Sequence, residues 1–236
     1  MYCSSCRNYP DDGGLCNDCY VKTGEIVEEL LREIEGLKAK IAFLRFSSPL
    51  DHRNHPYYTD IVLHAASEDK PSVPAHKAVL VNRSPVFKAM LENEMAEKRS
   101  GTIKISDVSH DVLCEFVNYI YTAEVCLDEQ MACELLELAE KYDIKHLKAY
   151  CEKFLVSKLN WENSIMNYVF AHQLNAKHLL RAALSLITDN MSDFTKREEY
   201  MELVENNPRL LVEIYEVYLC KQDSAAAQNP FHSESP

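Results

Sequence analysis

Four cysteines crowd into the first nineteen residues, spaced Cys3-x-x-Cys6 and Cys16-x-x-Cys19. A Cys-x-x-Cys knuckle lets two thiolates converge on one ion, and two knuckles complete a tetrahedral site. The chemistry this spacing points to is a structural zinc held by Cys3, Cys6, Cys16 and Cys19. A segment this short has no core of its own, so a metal would supply its folding free energy. The nine residues between the knuckles fall short of the about fifteen to twenty usual for such sites. Free surface thiols or a redox pair are the alternatives.

The other five cysteines, Cys114, Cys126, Cys133, Cys151 and Cys220, lie scattered, several within helical patterns, where they read as small buried hydrophobes. An odd total of nine, with neither a basic nor an apolar stretch in residues 1–6, leads us to expect a reducing compartment, cytoplasm or nucleus. No glycine-rich phosphate loop and no nucleophile signature occurs. His76, His110, His146, His172 and His178 fall in helical or strand-edge contexts and are expected to be structural. The expectation is a protein that is not an enzyme.

Composition narrows the partners. The formal net charge is −12 over 236 residues, with no basic block. Such a surface offers no footprint for nucleic acid or an anionic membrane. No apolar run approaches a bilayer-spanning length. With 47% hydrophobic residues, the chain can fill a core, and binding to other proteins is the class left open.

The elements that must position these residues follow from breakers and periodicity. All five glycines lie at or before Gly101, and no proline falls between Pro85 and Pro208. Residues 102–207 therefore read as long helices joined by short polar turns. Upstream, residues 25–46 read as a helix in which Val27, Leu30, Ile34, Leu37, Ile41 and Leu44 follow alternating steps of three and four, a heptad seam. That short coiled-coil-like helix either self-associates or packs on the chain's own domain. Residues 47–58 read as a linker. A strand is expected at Ile61, Val62 and Leu63, with Val73–Ala75 as its partner, and another at Ile103 and Ile105. Ser84-Pro85 starts a helix with Ser84 as cap, burying Val86, Phe87, Met90 and Leu91. Ser109 caps the next helix.

Residues 138–155 (LAEKYDIKHLKAYCEKFL) can be laid on residues 170–187 (FAHQLNAKHLLRAALSLI). Each copy reads as a helix, a tight turn and a second helix, so two helical hairpins should stack. A last helix carries Leu210, Leu211, Ile214 and Tyr218, and residues 221–236 read as a disordered tail.

The stretch Asp60-Ile61-Val62-Leu63, then Ala75-His76-Lys77, Leu80, Ser84-Pro85-Val86-Phe87, Ile105, Asp107 and FVNYIYT at 116–122 resembles a BTB/POZ domain over about residues 57–155. Within that family, SPVFKAMLENEMAE at 84–97 and LAEKYDIKHLKAYCE at 138–152 are most similar to speckle-type POZ proteins, and residues 156–220 resemble a BACK-type helical extension. The resemblance implies an α-rich α+β fold, a helical cluster flanked by short strands and followed by helical hairpins. No MATH-type substrate domain is recognisable, and the family's helix before the first strand has no obvious counterpart; the seam helix would substitute in dimerisation. The resemblance also implies that Met95 and Glu97 form the hydrophobic-x-acidic motif that meets a cullin-3-type scaffold, and that Asp60 and Lys77 belong to a charged pair at the dimer base, or alternatively to a local salt bridge. Leu30, Ile34, Leu37 and Ile41 join them as expected dimer contacts. The function implied is that of an adaptor bringing an unidentified protein substrate to a cullin-3-type ubiquitin ligase as a homodimer. The alternative is a dimerising scaffold or transcriptional co-regulator.

Overall fold

The computed structural model describes residues 17–44, 50, 58–66, 70–92 and 101–228, with side chains at 17–20, 42–44 and 224–228 excepted. The chain divides into two compact units, 1–47 and 48–236.

The described part of the first unit is one helix, α1 (Asn17–Leu44). It begins eight residues before the expected start, inside the segment assigned to zinc. A Cβ added at Gly24 would meet open space, and the glycine sits inside the helix without breaking it; a single glycine costs only about 1 kcal/mol there. Every described side chain of α1, residues 21–41, is exposed.

The second unit opens on a three-stranded sheet in the order β2-β1-β3, formed by β1 (Ile61–His64), β2 (Val73–Ala75) and β3 (Thr102–Lys104). β1 pairs antiparallel with β2, placing Val62 opposite Pro74, and parallel with β3, placing Leu63 opposite Ile103. Pro74, lacking an N–H, is tolerated because β2 is an edge. Ile61 and Leu63 are buried while Val62 and His64 are half-buried, the alternation of a one-sided sheet. Ile105 lies just past β3, buried, its N–H donating to the His64 carbonyl at 2.8 Å. Gly101 takes a φ of 66° to enter β3, and its carbonyl accepts from Val62 N–H at 3.0 Å. That backbone conformation favours glycine.

Helices complete the unit: α2 (Lys77–Arg83), α3 (Pro85–Glu92), α4 (His110–Thr122), α5 (Glu129–Lys141), α6 (Lys145–Lys158), α7 (Ser164–Gln173), α8 (Lys177–Asp189), α9 (Met191–Phe194), α10 (Glu198–Asn206) and α11 (Pro208–Gln228). The expected caps are present: Ser109 Oγ accepts from Val112 N–H at 3.3 Å, and Ser84 Oγ from Phe87 N–H at 3.1 Å. Phe87, Phe116 and Tyr142 form the aromatic centre of the core, with Phe87 stacked on Tyr142 at 4.4 Å between centroids.

The two repeats fold as two copies of one hairpin. In the first, Tyr142 N–H donates to Leu138 O at 2.9 Å and Ile144 N–H to Ala139 O at 2.8 Å. In the second, Leu174 N–H donates to Phe170 O at 3.2 Å and Ala176 N–H to Ala171 O at 2.8 Å. Asp143 (φ 48°) and Asn175 (φ 49°) supply the left-handed residue of this helix-ending turn.

Three expectations need correction. Cys126 and Cys220 are exposed, so only Cys151 is fully buried among the five scattered cysteines; Cys114 and Cys133 are half-buried. Cys126 falls on the irregular stretch between α4 and α5, where no packed helix face is available. Leu50, assigned to the linker, packs against the core. α11 runs to Gln228, into the stretch read as tail, because Ala225, Ala226 and Ala227 are good helix formers.

Candidate functional site

Asp60 and Lys77 meet where β1 begins and α2 starts. The contact runs through the backbone: Lys77 N–H donates to Asp60 Oδ1 at 2.7 Å. His76, the residue before α2, makes no side-chain cap. The Asp60 carboxylate therefore caps α2 from the neighbouring strand, where the helix N-terminus favours negative charge. Asp60 itself is exposed.

His76, His146 and His110 have structural partners. Tyr121 Oη accepts from His76 N–H at 2.7 Å and lies 2.8 Å from His76 Nδ1. Burial pushes the Tyr121 phenol up to about 12, so it stays protonated at neutral pH. Tyr119 Oη hydrogen-bonds His146 Nδ1. His110 lies 3.6 Å from Cys114 Sγ, but burial first, then the neighbouring carboxylates of Asp111 and Glu115, raise the Cys114 thiol above its ordinary value. A protonated thiol is a poor nucleophile and a poor metal ligand.

α3 precedes the expected cullin motif in the chain. Phe87 and Leu91 are buried and Met90 is half-buried, as the periodicity required. The helix ends at Glu92. Met95 and Glu97 lie outside the described residues, as do Cys3, Cys6 and Cys16. Cys19 falls in the first turn of α1. Among the described residues, no three His, Cys, Asp or Glu side chains converge as a metal site. No described helix is long and apolar enough to cross a membrane. Leu30, Ile34, Leu37 and Ile41 are all exposed on α1.

The helical extension has a feature that periodicity did not reveal. α7 and α10 border a groove of about 350 Å³ lined by Ile165, Met166, Val169, Phe170 and Leu203, with Glu202 at its rim. Ile165 of α7 and Leu203 of α10 belong to one core cluster, a tertiary relation no local pattern encodes.

The second unit is thus a small three-stranded sheet followed by a largely buried α4 and helical hairpins. A BTB/POZ domain matches residues 50–159. A BTB/POZ domain-containing protein of Arabidopsis thaliana is 64% identical over 235 residues, covering 96% of each chain. TD and POZ domain-containing protein 4 of Mus musculus is 36% identical over 163 residues, 68% of this chain and 43% of that protein. TD and POZ domain-containing protein 2 of Mus musculus is 33% identical over 183 residues, 77% of this chain and 48% of that protein. The chain thus spans under half the length of these mouse relatives. It belongs to the BTB/POZ domain proteins, and protein–protein interaction is its class of function.

Proposed function

We propose that this protein is a non-enzymatic adaptor that links a target protein to a cullin-3-type ubiquitin ligase, working in the cytoplasm or nucleus as a homodimer. What carries this reading is the placement of Met95-Ala96-Glu97 directly after α3, which ends at Glu92, within the matched BTB/POZ region. An unbranched Met can fill an apolar groove on a scaffold, and a carboxylate can meet a donor beside it. Asp60 and Lys77 would lie at the dimer base. The test is calorimetric titration with a cullin-3 N-terminal domain. The unmutated chain should bind, and a Met95→Glu, Glu97→Ala double variant should bind about thirtyfold more weakly, as loss of an anchor worth about 2 kcal/mol requires. Circular dichroism melts check that the variant stays folded. Unchanged affinity in the folded variant removes this motif as the docking element. No binding by the unmutated chain replaces the adaptor with a dimerising scaffold or co-regulator.

The cysteine segment would hold one structural zinc through Cys3, Cys6, Cys16 and Cys19. Four thiols suit a tetrahedral zinc, and the first turn of α1, where Cys19 falls, is a setting that favours a thiolate. Elemental analysis of tag-free protein should give one zinc per chain. A content near zero, unchanged by Cys16→Ser and Cys19→Ser, would defeat the assignment.

A further inference from the structure

α1 is 28 residues long, and its described side chains from Val21 to Ile41 are all exposed. The seam residues with described side chains, Val27, Leu30, Ile34, Leu37 and Ile41, are each 46–56% exposed, although they form one continuous apolar face. Gly24 and Gly36 weaken the helix, and most helical stability comes from packing of an apolar face. A second helix laid along the seam would supply that packing.

The identities along the seam state which partner. With Val27 set at heptad position a, the a positions are Val27, Ile34 and Ile41, all β-branched, and the d positions are Leu30, Leu37 and Leu44. β-branched residues at a with leucine at d favour two strands running parallel. The same register puts Glu33 at g and Lys38 at e, the five-residue spacing at which a parallel partner's residue lies opposite. Each helix's Glu33 then faces Lys38 of the other, giving two complementary pairs per dimer. Ile26 at g and Leu31 at e, exposed by 49% and 55%, face each other in the same way and widen the apolar strip. Gly36 falls at c, away from the seam, so it costs helix propensity without opening a hole in the interface. Within one chain Lys38 reaches Glu35 at 2.9 Å, both largely exposed. An exposed pair of this kind yields easily to a better-placed partner.

We infer that α1 is the interaction surface for a second copy of this chain, paired in parallel and in register as a two-stranded coil. The pairing sets both cysteine-rich segments at one end of the coil, so whatever they contact is met by two of them at once. The inference deepens the homodimer of the proposed function, and its success does not depend on cullin binding.

The test uses the full chain with a photo-crosslinking p-benzoylphenylalanine at Leu30, prepared as an equal mixture of 15N-labelled and unlabelled protein. A second variant carries the group at Leu31, on the flank, in case the seam position itself disturbs pairing. Irradiation and peptide mapping should give crosslinks between labelled and unlabelled copies, landing on residues 27–34 of the second chain. Glu33→Lys alone and Lys38→Glu alone should each weaken that association by roughly tenfold, through two like-charge contacts per dimer. An equal mixture of the two variants should restore it. Crosslinks confined to one chain, crosslinks landing towards the opposite end of α1, three-copy species, or no crosslink at either position in folded protein would each overturn the inference. So would charge variants that leave the yield unchanged. Cullin affinity, measured on the same variants, should not move; its absence in the unmutated protein would reject the adaptor and leave the coil standing.

Discussion

Ser84 shows how much one small polar side chain can hold. It is 1% exposed. Its Oγ accepts from Phe87 N–H at 3.1 Å, capping α3, and donates to the Tyr142 carbonyl at 2.6 Å, fastening α3 to the end of α5. The first bond was legible in the sequence, because Ser-Pro at a helix start is a local signal. The second was not, since 58 residues separate the partners. Ser84→Ala should lower stability by about 2 kcal/mol, combining a lost cap with a carbonyl left unsatisfied in the core. Denaturant titration measures it, and a loss below about 0.5 kcal/mol would show that the carbonyl finds another donor. Asp107 and Lys141 make the opposite case, an exposed pair at 2.7 Å. The hydrogen bond from Lys141 holds the Asp107 carboxyl below its ordinary value. A depressed carboxylate contributes stability above its unfolded pKa and loses it as pH falls through the folded one. Lys141→Gln should therefore remove a small stabilisation present at neutral pH, no more than about 1 kcal/mol for a pair so exposed, and the two proteins should converge as pH falls through the lowered Asp107 range. A difference that persists undiminished into acid would assign the effect to packing of the lysine stem.

At the scale of elements, the repeated hairpin was readable before any fold was known. Residues 138–155 and 170–187 align because both must end one helix in a left-handed residue and start another at once. Asp143 and Asn175 fill that position, and Asp and Asn are among the few non-glycine residues that tolerate it. How the copies join was not readable. α6 of the first copy carries Glu152, 4% exposed, whose Oε2 accepts from His178 N–H at 2.7 Å and Leu179 N–H at 3.2 Å. It thus caps α8 of the second copy, whose own preceding residue, Ala176, offers no side-chain cap. The position equivalent to Glu152 in the second copy is Leu184, so the contact is not repeated. Period and polarity give hairpins; a carboxylate reaching across 26 residues needs the tertiary fold to be seen. The candidate sites divide the same way. The α1 seam is visible as a spacing, while the groove between α7 and α10 exists only through packing. Glu152→Ala should cost about 2 kcal/mol or more by orphaning two amides at a buried helix start, and Glu152→Gln, which keeps an acceptor, distinctly less. Amide hydrogen exchange should then rise first at His178 and Leu179. Equal effects of both substitutions would mean that charge, rather than acceptance, is what the site requires.

At the scale of the whole molecule, the matched BTB/POZ region and the hydrophobic core do not end together. The match closes at residue 159. The main core cluster runs from Ile61 through Leu147, Cys151 and Leu155 and on to Ala171, Ala176 and Leu179, all buried. A second cluster, centred on Tyr168, Ile187, Phe194 and Ile214, continues from there. Tyr168 Oη donates to Leu210 O at 3.3 Å, tying α7 to α11 across that second cluster. The helical extension thus completes the core of the domain before it. At the other end the situation reverses. Residues 1–47 form a separate unit, and the described part of α1 buries no side chain. Two truncations should therefore behave oppositely. A chain beginning at residue 48 should melt within about 2 °C of the full protein, because it keeps the whole of both core clusters. A chain ending at residue 159 lacks α8, which packs on α6, and so opens the core cluster to which Leu147, Cys151 and Leu155 of α6 belong. Each large apolar side chain returned to water costs about 1.5–3 kcal/mol, against a total stability of about 5–15 kcal/mol for a domain. That shortened chain should lose most of its cooperative transition and bind a hydrophobic dye, whereas one ending near residue 189, which retains α7 and α8, should recover much of the transition. A sharp, full-protein-like melt for residues 48–159 would show that α6 is held by the sheet-bearing region alone, and that the extension is an appended module.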